Sequence, residues 1–186
     1  WDRERFDAIC DWAHGHDLKV FVDGARMAVA LTTEGCDLTL RHLASKADAF
    51  YLGGTKNGML FGEAMVINDP ELKHSFPYLV KEREKDGEPA AAAEPLYWRL
   101  ARNANACACR LRDGMVKLGF KTYLPSNSNQ QFFVVDPTTA KQFEQAVGSE
   151  PFAKLPDGNL VIRFVCSWAT TADDVDELLA FAKNLA

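Results

Sequence analysis

The stretch 49–66, Ala-Phe-Tyr-Leu-Gly-Gly-Thr-Lys-Asn-Gly-Met-Leu-Phe-Gly-Glu-Ala-Met-Val, leaves few options for the fold around it. Residues 49–52 are an apolar run ended by Gly53 and Gly54, which predicts a buried strand. Asn57-Gly58 starts a turn, and Gly62 closes a hairpin-like return into a second strand at 64–67. The link is too short for a crossover helix, so the returning strand is expected to run antiparallel to the first. Thr55 and Lys56 stand at the exit of the first strand. Glycines there let a ligand or another backbone approach closely. An amine at the edge of an apolar wall is desolvated, which favours the neutral, nucleophilic form that makes Schiff bases. A phosphate-binding or merely solvated lysine is the plainer alternative.

The flanking sequence sets this hairpin in an α/β context. Residues 3–14 carry Phe6, Ile9, Cys10 and Ala13 at helical spacing. Residues 19–22 read as a short buried strand that runs into Asp23-Gly24-Ala25-Arg26. A carboxylate at the carboxyl end of such a strand sits where open α/β sheets bind ligands. Asp23 as an N-cap, or as the salt-bridge partner of Arg26, is the bland alternative. Residues 38–47 read as a helix before the 49–52 strand, and strands alternating with helices imply parallel pairing. Asp69-Pro70 opens a further helix carrying Leu72, Phe76 and Leu79, followed by a solvated charged run at 81–86. Residues 87–95, with four alanines between two prolines, read as a linker.

A long helix is expected over 96–118, then strands at 121–124 and 131–135, and a helix at 137–147. A strand follows at 160–166, with Arg163 on the face opposite Ile162 and Phe164, and a last helix is capped by Thr171. The fold class is therefore α/β: part of a mostly parallel sheet with helices over 1–95, and a linking helix with a small α+β C-terminal lobe over 96–186. The first residues, Trp1-Asp2-Arg3, read as the start of a piece of something longer.

A net charge of −5 argues against nucleic acid or an anionic membrane as the main partner. No apolar run reaches the length needed to cross a bilayer. The five cysteines are scattered, none has zinc-site spacing, and no metal site is expected. All five read as reduced thiols in a cytoplasmic compartment. His14 and His16 read as a solvated pair at a helix end rather than as metal ligands.

Asp23, Lys56 and Arg163 form one constellation. A guanidinium in a buried-strand context calls for an anionic partner. An amine that makes an imine, an acid that keeps a pyridine nitrogen protonated and an arginine that forks an α-carboxylate suit pyridoxal-phosphate chemistry on an amino acid. At these residues the sequence resembles the low-specificity threonine aldolases, of the aspartate-aminotransferase-like fold. The motifs are Phe21-Val22-Asp23-Gly24-Ala25-Arg26, Tyr51-Leu52-Gly53-Gly54-Thr55-Lys56-Asn57-Gly58 and Phe61-Gly62-Glu63-Ala64. The likeness extends to Ser126-Asn127-Ser128-Asn129-Gln130 and to Ile162-Arg163-Phe164 with Ser167-Trp168-Ala169-Thr170, and covers nearly the whole chain.

That resemblance implies Lys56 as the Schiff-base lysine and Asp23 as the partner of the pyridine nitrogen. It implies Arg26 near the cofactor's phenolic oxygen and the substrate carboxylate, Arg163 on that carboxylate, and Thr55 at the phosphate. It further implies cleavage of β-hydroxy-α-amino acids to glycine and an aldehyde, in a homo-oligomer. The family has an N-terminal portion with the phosphate loop, the ring-stacking residue and the base, which this chain lacks, and a longer helical stretch where 87–95 stand. A related β-eliminating lyase, or a non-catalytic fragment, are the alternatives.

Overall fold

A computed structural model describes residues 2–75, 95–149 and 151–185. The chain divides into two compact units, 1–99 and 100–186.

The first unit opens with α1 (Arg3–His14), capped by the Asp2 carboxylate, which accepts from the Arg5 N–H at 2.8 Å. Then come β1 (Phe21–Val22), α2 (Met27–Leu31), α3 (Leu40–Lys46), β2 (Ala49–Gly53), a 3₁₀ turn (Thr55–Asn57), β3 (Glu63–Ile67) and α4 (Pro70–Ser75). The sheet order is β1-β2-β3. β1 pairs with β2 in parallel, and β2 pairs with β3 antiparallel, from Ala49 opposite Ile67 to Gly53 opposite Glu63. The antiparallel return is as expected from the short link. Among the described residues this sheet holds one parallel and one antiparallel pairing. Strand positions alternate, and Phe50 points into a core with Phe6, Cys10, Met27, Leu38 and Leu43. The opposite face carries Phe21, Tyr51 and Met65, with Phe21 and Met65 exposed.

Only two residues of the expected strand 19–22 join the ladder. Asp48 takes over part of it. Its carboxylate accepts from the Val20 N–H at 2.7 Å and from His14 at 2.9 Å, and Val20 O accepts from the Asp48 and Ala49 N–H groups. The helix positions Phe76 and Leu79, the charged run 81–86 and the alanine run lie outside the described residues.

Lys19, just before β1, and Asp69, just after β3, form an ion pair, and Asp69 is buried. The Lys19 ammonium, and then the Leu72 and Glu71 N–H groups, hold the Asp69 carboxyl below the usual carboxylate range, while Asp69 raises Lys19. An acid whose folded value is depressed stabilises the fold above its ordinary value, near 4, and loses that contribution as pH falls through the depressed one. A raised lysine contributes below about 10.4 and loses its share as pH rises through its folded value. Lys19→Met is therefore expected to flatten the acid limb of stability against pH, with little change in slope from pH 5 to 9. Urea melts across pH 2–9 check this, and an acid limb as steep as the wild type's is the contrary result.

The second unit holds most of α5 (Leu96–Lys117), then β4 (Lys121–Thr122), β5 (Gln130–Val135), α6 (Pro137–Val147), β6 (Pro151–Lys154), β7 (Leu160–Val165) and α7 (Ala172–Lys183). Its sheet runs β4-β5-β7-β6 and is antiparallel throughout. Asp136 caps α6, and Thr171 with Asp174 makes a reciprocal capping box on α7. One face of the sheet packs Phe133, Ile162 and Phe164 against Leu111, Met115, Phe143 and Val175. β6 is unforeseen in the sequence. It begins at a proline and carries a register shift between Pro151 and Ala153, as edge strands do. All five cysteines are free thiols, and Cys10, Cys107 and Cys166 are buried.

Candidate functional site

The parallel pairing of β1 with β2 sets two chain exits side by side. β1 releases Asp23, and β2 releases the turn bearing Thr55 and Lys56. The glycines between them serve backbone approach. A Cβ on Gly24 would lie 1.5 Å from the Tyr51 carbonyl oxygen, and one on Gly53 would lie 2.7 Å from Ala25 Cα. With both side chains absent, the Gly53 N–H reaches the Gly24 carbonyl at 2.9 Å. Of the two roles glycine can have at such an exit, the close neighbour here is another backbone.

Asp23 is exposed and is neither an N-cap of α2, a position taken by Arg26, nor an ion-pair partner of Arg26 among the described residues. Its Oδ1 accepts from the Tyr51 hydroxyl and, at 3.0 Å, from the Ala25 N–H. The Tyr51 hydroxyl, then the Ala25 N–H, then the positive charge of Lys56 hold the Asp23 carboxyl below the usual aspartate range. The carboxylate next to it pushes the Tyr51 phenol up to about 12. Asp23 thus stays ionised and Tyr51 stays a donor across the physiological range.

Lys56 and Thr55 are exposed, so the apolar wall expected around the amine is not built by the described residues. The apolar side chains that follow them point outward: Leu60 is 95% exposed and Phe61 81%. The turn itself is held from below. Asn57, 3% exposed, donates through Nδ2 to the Tyr97 carbonyl at 2.6 Å, and the Tyr97 hydroxyl donates to the Gly53 carbonyl at 3.0 Å. The Met59 N–H closes onto the Gly54 carbonyl at 3.1 Å. Arg26 is half-buried on a groove that it shares with Asp23, Phe21 and Met27.

Arg163 belongs to the second unit and corrects one expectation. It lies on the exposed face of β7, opposite Ile162 and Phe164, rather than in a buried setting that demands an anion. Its guanidinium sits over the Phe152 ring, 5.7 Å from the centroid. Sequence reasoning missed Tyr51, Asn57 and Tyr97. Tyr51 read as part of an apolar wall and Asn57 as a turn former. The parallel register was the available signal for Tyr51, because it sets the residue after Val22 beside the residue after Phe50.

Known proteins share this arrangement of sequence. Two curated low specificity L-threonine aldolases, from Pseudomonas aeruginosa and from a Pseudomonas species, are 27% and 30% identical over 87% and 88% of the chain. The chain spans about half of their length, 49% of each. A solved threonine aldolase from Leishmania major is 28% identical and superposes with a TM-score of 0.82, over the whole chain and 57% of that protein. The beta-eliminating lyase family matches residues 1–147. With more than half of its length inside that match, the chain belongs to the beta-eliminating lyase family.

Proposed function

We propose that these residues serve a pyridoxal-phosphate-dependent aldolase that cleaves the Cα–Cβ bond of L-threonine or related β-hydroxy-α-amino acids, yielding glycine and an aldehyde. The observation that carries this reading is that Asp23 and Lys56 both follow the carboxyl ends of two paired parallel strands, β1 and β2. The donor set fits the cofactor: a solvent-accessible amine, an ionised carboxylate with one oxygen committed to the protein, and a hydroxyl at Thr55. When bound, pyridoxal phosphate supplies an aldehyde for the amine and a protonated heterocycle that takes up the electron pair of the breaking bond.

The chain's own residues divide the work. Lys56 Nζ is the nucleophile. Asp23, kept ionised, would hold a proton on the cofactor's ring nitrogen. Thr55 would hold its phosphate oxygens, and Arg26 and Arg163 would bind the substrate carboxylate. A base takes the β-hydroxyl proton as the Cα–Cβ bond breaks, and Cα regains a proton to give glycine. Residues 1–95 make up the C-terminal part of the cofactor-binding domain, and 96–186 the linking helix and small domain. The exposed Leu60 and Phe61 beside Lys56 support assembly with further copies. Among the described residues no helix is long and apolar enough to cross a membrane, and the free thiols support a cytoplasmic setting.

The test is product analysis with L-threonine and added cofactor. Glycine and acetaldehyde in equal amounts are expected. A 2-oxo acid with ammonia would establish β-elimination in their place, and neither product, with no yellow colour on mixing, rejects the cofactor reading for this polypeptide.

A further inference from the structure

Asp23 has two donors and both fall on one oxygen. The Tyr51 hydroxyl and the Ala25 N–H each donate to Oδ1, and no hydrogen bond reaches Oδ2 among the described residues. The sheet itself delivers this asymmetry. In the β1–β2 register Phe21 lies opposite Ala49 and Val22 opposite Phe50, and Asp23 and Tyr51 are the next residues along. Side chains alternate along both strands, so Phe21, Asp23 and Tyr51 share the sheet face turned away from the Phe50 core. Phe21 stacks on Tyr51, with ring centroids 6.1 Å apart and planes 29° from parallel. That stacking limits the directions in which the phenol can swing.

We infer that Tyr51 is a positioning residue for Asp23: it pins Oδ1 and turns Oδ2 outward to meet a protonated heterocyclic nitrogen. This rests on the proposed cofactor reading and adds to it the residue that aims the acid. A carboxylate held through one oxygen keeps its plane and presents the other lone pairs in a fixed direction. A free aspartate on an exposed face would rotate about χ2 and lose that aim. Tyr51 also acts on charge. Its hydroxyl is the largest influence holding Asp23 below its ordinary value, ahead of the Ala25 N–H and Lys56. Glu63, which also faces Tyr51, works with Asp23 to keep the phenol protonated.

The experiment compares wild type, Tyr51→Phe, Asp23→Asn and the double variant. Tyr51→Phe keeps the ring and its stacking on Phe21. In cofactor-free protein the Asp23 side-chain carboxyl is titrated by ¹³C NMR, assigned by its absence in Asp23→Asn. The expected result is a midpoint below the usual aspartate value in wild type that moves upward in Tyr51→Phe. Pyridoxal-phosphate affinity, read from the visible band, is expected to weaken by roughly three- to tenfold in Tyr51→Phe. In the Asp23→Asn background the same substitution is expected to change nothing, since a positioning residue has no effect once its target is gone. An unmoved Asp23 midpoint, or effects of the two substitutions that simply multiply, overturns the assignment. The cofactor reading fails differently. If wild type takes up no cofactor while the midpoint still responds to Tyr51→Phe, that reading falls and the ring-facing role falls with it. Colour with an unresponsive midpoint overturns Tyr51 alone.

Discussion

Lys56→Ala is expected to abolish covalent capture of pyridoxal phosphate and to reduce turnover by at least about 10³-fold. The size of the effect follows from the arrangement of nucleophiles at the exits of the two paired parallel strands. Asp23 beside it is ionised and Tyr51 is held as a phenol, so neither substitutes as an amine. Borohydride reduction of the wild-type mixture followed by peptide mass analysis should place the pyridoxyl mass on the peptide containing Lys56 and leave the variant unlabelled. Label appearing on a different lysine, or persisting in Lys56→Ala, would remove the ground for the proposed chemistry. The variant should fold normally, because the exposed Lys56 side chain takes no part in the hydrogen bonds from Asn57 and Tyr97 that hold the turn.

The second large effect is structural. Phe143→Ala is expected to destabilise the second unit by about 3–5 kcal/mol. Phe143 is fully buried and meets three rings edge-on: Phe120 at 5.9 Å, Phe164 at 5.4 Å and Phe181 at 5.7 Å between centroids. Truncation removes its apolar surface and leaves a cavity that α6, β7 and α7 cannot all close at once. A domain of this size has a total stability of only about 5–15 kcal/mol, so the variant should sit near or past the point of unfolding. Amide exchange in β5 and β7 measures the loss. Protection there within about 1 kcal/mol of wild type would show that the aromatic cluster repacks, contrary to the expectation.

How much could be read in advance depended on whether a residue's role was local. α1, α6 and α7 announce themselves by apolar period, and α7 also by its cap Thr171, which acts within one turn; the caps Asp2 and Asp136 showed only in the structure. The antiparallel return of β3 follows from chain length alone. Asp23 and Lys56 stood out because each ends an apolar run. What stayed hidden depends on partners distant in sequence. The strand at 19–22 shrank because Asp48, 28 residues on, caps the Val20 N–H. α2 is five apolar residues that fit helix and strand patterns equally well. Arg163 was read as needing an anion because β6 went unrecognised, and β6 supplies the Phe152 ring over which the guanidinium lies. Tyr51 read as wall material because its hydroxyl has a purpose only once β1 is laid against β2.

The loop that carries Lys56 is tied at both ends to one rung of the β2–β3 ladder, where Gly53 faces Glu63. Only the nine residues 54–62 separate those anchors, and Asn57 is locked beneath them. The segment has therefore surrendered most of its configurational freedom before anything binds. A molecule captured by the amine meets a rigid mount with little disorder left to suppress, so more of the attraction is realised as net affinity.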